Sequence, residues 1–174
     1  HYYTYGTCLI ETTVDCLRGT YKLDASRIVH DLGRTIIPTV DRGQIEGGLA
    51  QGLGWVTLEE LVFTQEGRLT SSALSTYKAP DAEFMPETME LNLLENVENP
   101  GGPLGSKAVG EPPFMYGIAA FFAIRKAIQA FSKNEEAGKE VRCPVTAEQV
   151  LLDLYPNFAK TLEVSNHLQV GQSL

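Results

Sequence analysis

Cysteine is scarce in this chain, and so is positive charge. Three cysteines, Cys8, Cys16 and Cys143, occur among 174 residues. They show no C-x-x-C spacing and cannot all pair, which argues against a disulfide framework or a zinc site. Free thiols in a reducing cytoplasm are the favoured reading. Fourteen Lys and Arg face 22 Asp and Glu, for a net charge of −8. No basic patch is visible, which argues against a surface for nucleic-acid phosphates, and the charge is read as solubility. There is no signal peptide, and no apolar run long enough to span a bilayer. Internal repeats and low-complexity tracts are absent too. His1, His30 and His167 lack metal-ligand spacing and read as surface or core histidines. Ser71-Ser72 and Ser75-Thr76 lack the setting of a nucleophile elbow. The single tryptophan, Trp55, reads as core, and Glu135-Glu136 as a solvated helix end. The chain opens at His1 without an initiator Met, which suggests an excised or processed segment.

What remains fits one domain, or one compact piece of a larger unit, with 43% apolar and 21% charged residues and enough length for a real core. Residues 2–32 read as β structure. Thr7 to Cys16 alternates and is rich in β-branched residues, Leu17 to Thr20 reads as a turn, and Tyr21 to Leu32 supplies a second strand, so an antiparallel hairpin is expected. Residues 38–62 read as a helix, with Pro38 in its first turn and Ile45, Leu49, Leu53, Val56 and Leu61 roughly on one face. Gly43, Gly47, Gly48, Gly52 and Gly54 interrupt it. Each interior glycine costs on the order of 1 kcal/mol against alanine, so close approach of another backbone or of a ligand is implied. Residues 63–69 suggest a short hairpin, 70–86 irregular chain, 88–95 a strand and 96–110 a Gly/Pro/Asn-rich loop. Residues 112–131 suggest a helix burying Phe114, Ile118, Phe121, Phe122, Ile124, Ile128 and Phe131. Thr146 reads as an N-cap for a short helix to about Leu154, and the chain from Asn157 as a weakly held tail. The fold class is therefore α+β, antiparallel strands packed with two long helices, with residues 1–154 as the domain and 155–174 as the tail.

Two stretches carry candidate chemistry. In Gly105-Ser106-Lys107-Ala108-Val109-Gly110-Glu111-Pro112-Pro113 a lone carboxylate stands before two prolines. A residue before proline is pushed toward the extended region, so Glu111 is expected extended, at the mouth of the helix behind it. Free amides and the helix dipole there favour the carboxylate, whereas a narrow pocket would favour the neutral acid. Glu111 could be a base or simply a cap. Ser106 and Lys107 do not form a phosphate loop, because G-x-x-x-x-G-K-[ST] is absent. A flexible loop offering amides and one cation to an anion is one reading, and a plain surface loop the other. In Asp41-Arg42-Gly43-Gln44-Ile45-Glu46-Gly47-Gly48 an anion could rest on free amides near a helix start, with Gln44 donating to a ligand oxygen. Close helix packing with Gln44 exposed accounts for the same residues.

Read together, Gly43 to Gly54 and Gly105 to Pro113 resemble the C-terminal part of the molybdenum-binding subunit of the xanthine dehydrogenase/aldehyde oxidase family. Thr57-Leu58-Glu59-Glu60-Leu61 and Ser75-Thr76-Tyr77-Lys78-Ala79-Pro80 lie between them in the family's order. Tyr3-Thr4-Tyr5-Gly6 and Val14-Asp15-Cys16-Leu17 resemble its strands. The resemblance covers residues 1–131 and, more loosely, the chain to 154. It implies a molybdopterin-binding domain of a molybdenum hydroxylase acting on a purine, an N-heterocycle or an aldehyde, with Glu111 taking the proton of a molybdenum-bound hydroxide. Gln44, Ser106, Lys107, Ala108, Val109 and Gly110 would line the cofactor, and no residue of this chain would ligate the metal. Partners would be the remainder of the molybdenum subunit and the iron–sulfur and FAD domains or subunits that pass electrons on. The family's upstream glycine-rich loop and its cluster-binding cysteines are absent here, so only part of the site is expected in this chain. A cofactor-insertion or interaction module with the same fold, and an anion-binding domain using the Lys107 loop, are the alternatives. Ser75 to Lys78 leans the substrate toward that of a xanthine dehydrogenase.

Overall fold

A computed structural model describes residues 1–94, 97–132, 137–138 and 141–157. The first two strands form the expected hairpin. β1 (Gly6–Val14) pairs antiparallel with β2 (Tyr21–His30), from Gly6 opposite His30 to Val14 opposite Tyr21, with a bulge at Glu11/Thr12. Asp15 closes the turn: its Oδ1 accepts the Leu17 N–H at 2.9 Å, and Gly19 takes a φ of 71° that other residues disfavour.

The chain then crosses the sheet through α1 (Pro38–Thr57) and returns as β3 (Thr88–Leu93). β3 lies beside β2 in parallel, Ala25 opposite Thr88 through His30 opposite Leu93. The all-antiparallel sheet expected from the sequence is thus a mixed sheet of order β1-β2-β3. Alternation marks a strand but not its direction, which here is set by the crossover helix.

α1 buries Ile45, Leu49, Leu53 and Val56 against Leu23, Ile28, Leu32 and Leu91 of the sheet side. It stops at Thr57, short of residue 62, and Leu61 is exposed rather than on the buried face. The hairpin expected at 63–69 is a single bridge between Phe63 and Leu69.

Pro112–Gly117 forms a 3-10 turn that runs directly into α2 (Ile118–Ser132). Two successive prolines supply no N–H, so the segment starts as a tight turn before α-helical bonding takes over. Ala120, Ile124 and Ile128 are the buried residues of α2; Phe122 and Phe131, expected inside, are about half exposed. By length and composition alone Pro112–Ser132 would reach across a bilayer, contrary to the sequence reading. In the fold it lies against β1, α1 and α3 (Ala147–Leu154) instead.

α3 starts at Thr146, whose Oγ1 accepts the Gln149 N–H as the capping pattern predicts. It closes a second core of Ile124, Ile128, Val141, Val145, Val150 and Leu154. Tyr155, just beyond, is still held: its hydroxyl donates to Cys16 O at 3.0 Å. Residues 158–174, with His167, lie outside the described residues, as do Glu135 and Glu136.

Candidate functional site

The glycines of α1 divide by what they face. A Cβ at Gly48 would stand 2.9 Å from Gly110 O, and one at Gly52 only 2.0 Å from Phe114 O. One at Gly54 would meet Pro80 at 2.5 Å. These three admit other chain segments, as close approach by a backbone requires. Gly43 and Gly47 have nothing within 4 Å, so on that side of the helix the missing side chains leave open space.

Along the same helix Gln44, Gly48, Gln51, Gly52 and Trp55 form a stripe that meets residues 110–117. Gln44 is exposed, and its Oε1 lies 3.1 Å from where a Cβ of Gly110 would be. Gln51 borders a cavity of about 280 Å³ with Glu111, Phe114 and Met115. Trp55, expected in the core, is half exposed and packs its ring on Phe114 with centroids 5.3 Å apart. The Ser75–Pro80 segment sits at the other end of α1, where the Tyr77 hydroxyl donates to Glu59.

Glu111 opens the 3-10 turn with φ −91° and ψ −40°. That is the helical region, not the extended one expected before proline. The turn behind it imposes this, since the Phe114 N–H donates to Glu111 O at 3.0 Å. Its carboxylate makes no capping hydrogen bond, so the capping reading has no contact to rest on. Glu111 is exposed; the narrow pocket considered from the sequence is not closed by the described residues.

The loop before it is anything but loose. Gly33 and Ser106 form a bridge, the Lys107 N–H donates to Leu32 O at 2.7 Å, and the Arg34 N–H to Gly105 O at 2.9 Å. Asn99 Nδ2 donates to Ser106 O at 3.1 Å, and the Ala108 N–H to the Tyr2 hydroxyl at 2.9 Å. The Lys107 ammonium is not offered to a ligand. It donates to Asp31 Oδ2 at 2.5 Å, with side chains 10% and 2% exposed. The cation expected in a flexible loop is therefore engaged inside the protein.

Burial pushes the Asp31 carboxyl up, but hydrogen bonds from Lys107 and the Gly33 N–H, with the Lys107 charge, outweigh it and hold it below its ordinary value. Next to it, burial holds His30 below its ordinary value, against the pull of the Asp31 charge. His30 Nδ1 shares a 2.5 Å hydrogen bond with the Tyr116 hydroxyl, and burial pushes that phenol up to about 12. Near the start of α1 the N–H groups of Ile36 and Ile37 are taken by Asp41 Oδ2 at 3.0 and 3.2 Å, so part of the anion seat expected there is filled by the chain's own carboxylate.

The structure thus brings Gln44, Gly110 and Glu111 together, leaves the N–H groups of Val109, Gly110 and Glu111 without an acceptor among the described residues, ties the Ser106 hydroxyl to Pro103 O in an exposed hydrogen bond, and turns Lys107 inward to Asp31. Sequence reading missed Gln51 and the trio His30, Asp31 and Tyr116. Gln51 could have been found, one helical turn pair beyond Gln44. The trio's partners lie too far apart in the chain to leave a local signal. Among the described residues no group of three or more His, Cys, Asp or Glu could hold a metal ion.

Residues 1–86 match the family model of the molybdopterin cofactor-binding domain. Xanthine dehydrogenase of Drosophila pseudoobscura pseudoobscura is 37% identical over 165 residues, covering 94% of this chain and 12% of that protein. Aldehyde oxidoreductase from Desulfovibrio gigas superposes with a TM-score of 0.68 at 30% identity, over 87% of this chain and 15% of that one. CO dehydrogenase from Oligotropha carboxidovorans gives a TM-score of 0.75 at 23% identity, over 87% and 18%, a likeness of fold alone. The chain spans only about an eighth of the length of the curated relatives it matches, 12% in the first case.

Proposed function

Because the chain belongs to the xanthine dehydrogenase/aldehyde oxidase family of molybdenum hydroxylases, we propose that it forms one wall of a molybdopterin site and carries the general base, Glu111, of a xanthine dehydrogenase-like hydroxylation. The observation that carries this reading is Gln44 set against Gly110, in a stretch where the Val109 to Glu111 amides have no acceptor among the described residues and the Glu111 carboxylate makes no capping bond. That donor set fits a cofactor rich in oxygen acceptors. Successive amides and a carboxamide donate without adding charge, and Gly110 has no side chain to fill the space between them. Molybdenum held by the pterin, when bound, would supply a water-derived oxygen and a two-electron acceptor.

This chain's own work is positional and protic. Gln44 and the amides of 109–111 bind and orient. Ala108 contributes through its backbone, which Tyr2 fixes. Ser106, through Pro103 O, and Lys107, through the buried Asp31, hold the loop in shape. A Glu111 carboxylate oxygen accepts the proton given up as oxygen is delivered to an electron-poor carbon of a purine, N-heterocycle or aldehyde. The electron pair would leave through iron–sulfur and FAD groups that this chain does not hold.

The reading is tested by producing the chain with the rest of its molybdenum subunit and changing Gln44→Ala. Pterin and molybdenum content per subunit should fall several-fold while the chain stays folded; undiminished content would remove Gln44 from the cofactor wall. The anion-binding alternative loses its cation to Asp31, and we do not adopt it.

A further inference from the structure

The segment that carries Glu111 is gripped on both sides, and both grips come from two adjacent residues. β2 ends at His30, and Asp31 follows it. Asp31 holds Lys107, upstream of Glu111, through the 2.5 Å ion pair. His30 holds Tyr116, downstream of Glu111, through the 2.5 Å hydrogen bond, with the rings edge to face at 5.6 Å. His30 and Asp31 are 0% and 1% exposed. We propose that His30 and Asp31 act as a two-point clamp that fixes where Glu111 stands, and are positioning residues for the reaction proposed above, on which this inference rests.

The surroundings fit a clamp better than simple core filling. A buried ion pair and a buried imidazole are poor ways to gain stability, because desolvation offsets most of what their contacts return. An apolar pair of similar volume would fill the same space. What polar contacts add is direction: each fixes one geometry and penalises the others. The backbone is shaped to admit both. Gly6 lacks a side chain where a Cβ would fall 1.7 Å from the Tyr116 hydroxyl, and Gly33, at φ 69°, lets Gly105 O approach to 2.6 Å of where its Cβ would be. The Asp31 N–H is itself tied to Tyr5 O at 2.8 Å, so the clamp is anchored to the residue that leads into β1 as well as to β2. Between the two grips the amides of 109–111 stay free. The segment is therefore held at its ends and open at its centre, as a preorganised proton acceptor requires.

The test uses the complete molybdenum subunit with its electron-transfer partners and the variants Tyr116→Phe and Asp31→Asn, with His30→Asn as the conservative replacement whose amide stands near the Nδ1 position and can still bond the Tyr116 hydroxyl. Molybdenum content, kcat, KM and amide hydrogen exchange of residues 107–116 are measured together. The clamp predicts that Tyr116→Phe lowers kcat about tenfold or more per bound molybdenum, since small misplacements of a reacting group cost that much. KM should move less than about threefold, because ground-state binding is not what is lost. Exchange at Lys107, Ala108 and Phe114, whose amides donate to Leu32 O, the Tyr2 hydroxyl and Glu111 O, should rise about tenfold as the segment opens locally, and His30→Asn should keep more of kcat than Tyr116→Phe. Asp31→Asn should act in the same direction, and the two variants together should be less than additive. Unchanged kcat per molybdenum with unchanged exchange in both variants would overturn the clamp, as would a kcat loss fully explained by lost molybdenum. A Glu111→Gln control separates the two readings. If that variant keeps full activity, the base assignment fails, and the exchange measurement alone then decides whether the clamp exists.

Discussion

The glycines of α1 make a sharp test, because one substitution should have opposite effects at positions a few residues apart. At Gly52 an added Cβ would lie 2.0 Å from Phe114 O, 3.0 Å from Phe114 C and 3.3 Å from Gly117 Cα. The crossing is reciprocal: a Cβ on Gly117 would stand 2.2 Å from Gly52 C. These are backbone atoms of a proline-started turn, so no side-chain rotamer can relieve the contact. Overpacking of a tight contact costs about 1–3 kcal/mol and occasionally more. A 2.0 Å contact with backbone belongs at the upper end, about 3 kcal/mol, and alanine returns about 1 kcal/mol in helix propensity, so Gly52→Ala should lose about 2 kcal/mol net. At Gly43 and Gly47 nothing lies within 4 Å. The same change there should gain about 0.5–1 kcal/mol. Urea denaturation of the chain, followed by far-ultraviolet circular dichroism, reads both. Equal midpoints for Gly52→Ala and Gly43→Ala would refute the close crossing that sets Glu111 over α1.

Acid should destabilise the chain in two stages. His30 is held below its ordinary 6.5, so its contribution is complete above that value and declines as pH falls below it; Asp31, held below its ordinary 3.8, adds a second decline below that point. Urea midpoints from pH 8 to pH 3 check this, and a His30→Phe variant that keeps the slope between 6.5 and 4 would contradict the first stage. Burial pushes the Cys8 thiol up to about 11 from 9.0. At pH 8 its thiolate fraction is then about a hundredfold below that of an ordinary thiol, and alkylation should be slower in proportion; labelling at the rate of a free thiol would show that the site is open.

Much of the frame was legible because it is written in local patterns. The hairpin, the glycine-laced helix, the strand near residue 90 and the capped helix at Thr146 follow from alternation, periodicity and capping, and the structure has all four. The direction of β3 was not legible, since parallel and antiparallel strands alternate alike. The conformation of Glu111 was missed because the turn behind it overrides the preference before proline. Trp55, Phe122 and Phe131 are large and apolar yet half exposed; composition cannot say which apolar side chains a chain leaves uncovered. At the candidate site the motifs pointed to Gln44 and the loop from Ser106 to Glu111. They could not show that Lys107 turns inward, because its partner Asp31 is set by the bridge between Gly33 and Ser106.

The base assignment meets its most direct test in Glu111→Gln, an isosteric change at an exposed carboxylate that makes no capping bond. In the complete enzyme this variant should keep its molybdenum and its fold while kcat falls about 10²–10⁴-fold, the usual contribution of a positioned general base. A variant that turns over at the parent rate with full molybdenum content would contradict Glu111 as the proton acceptor.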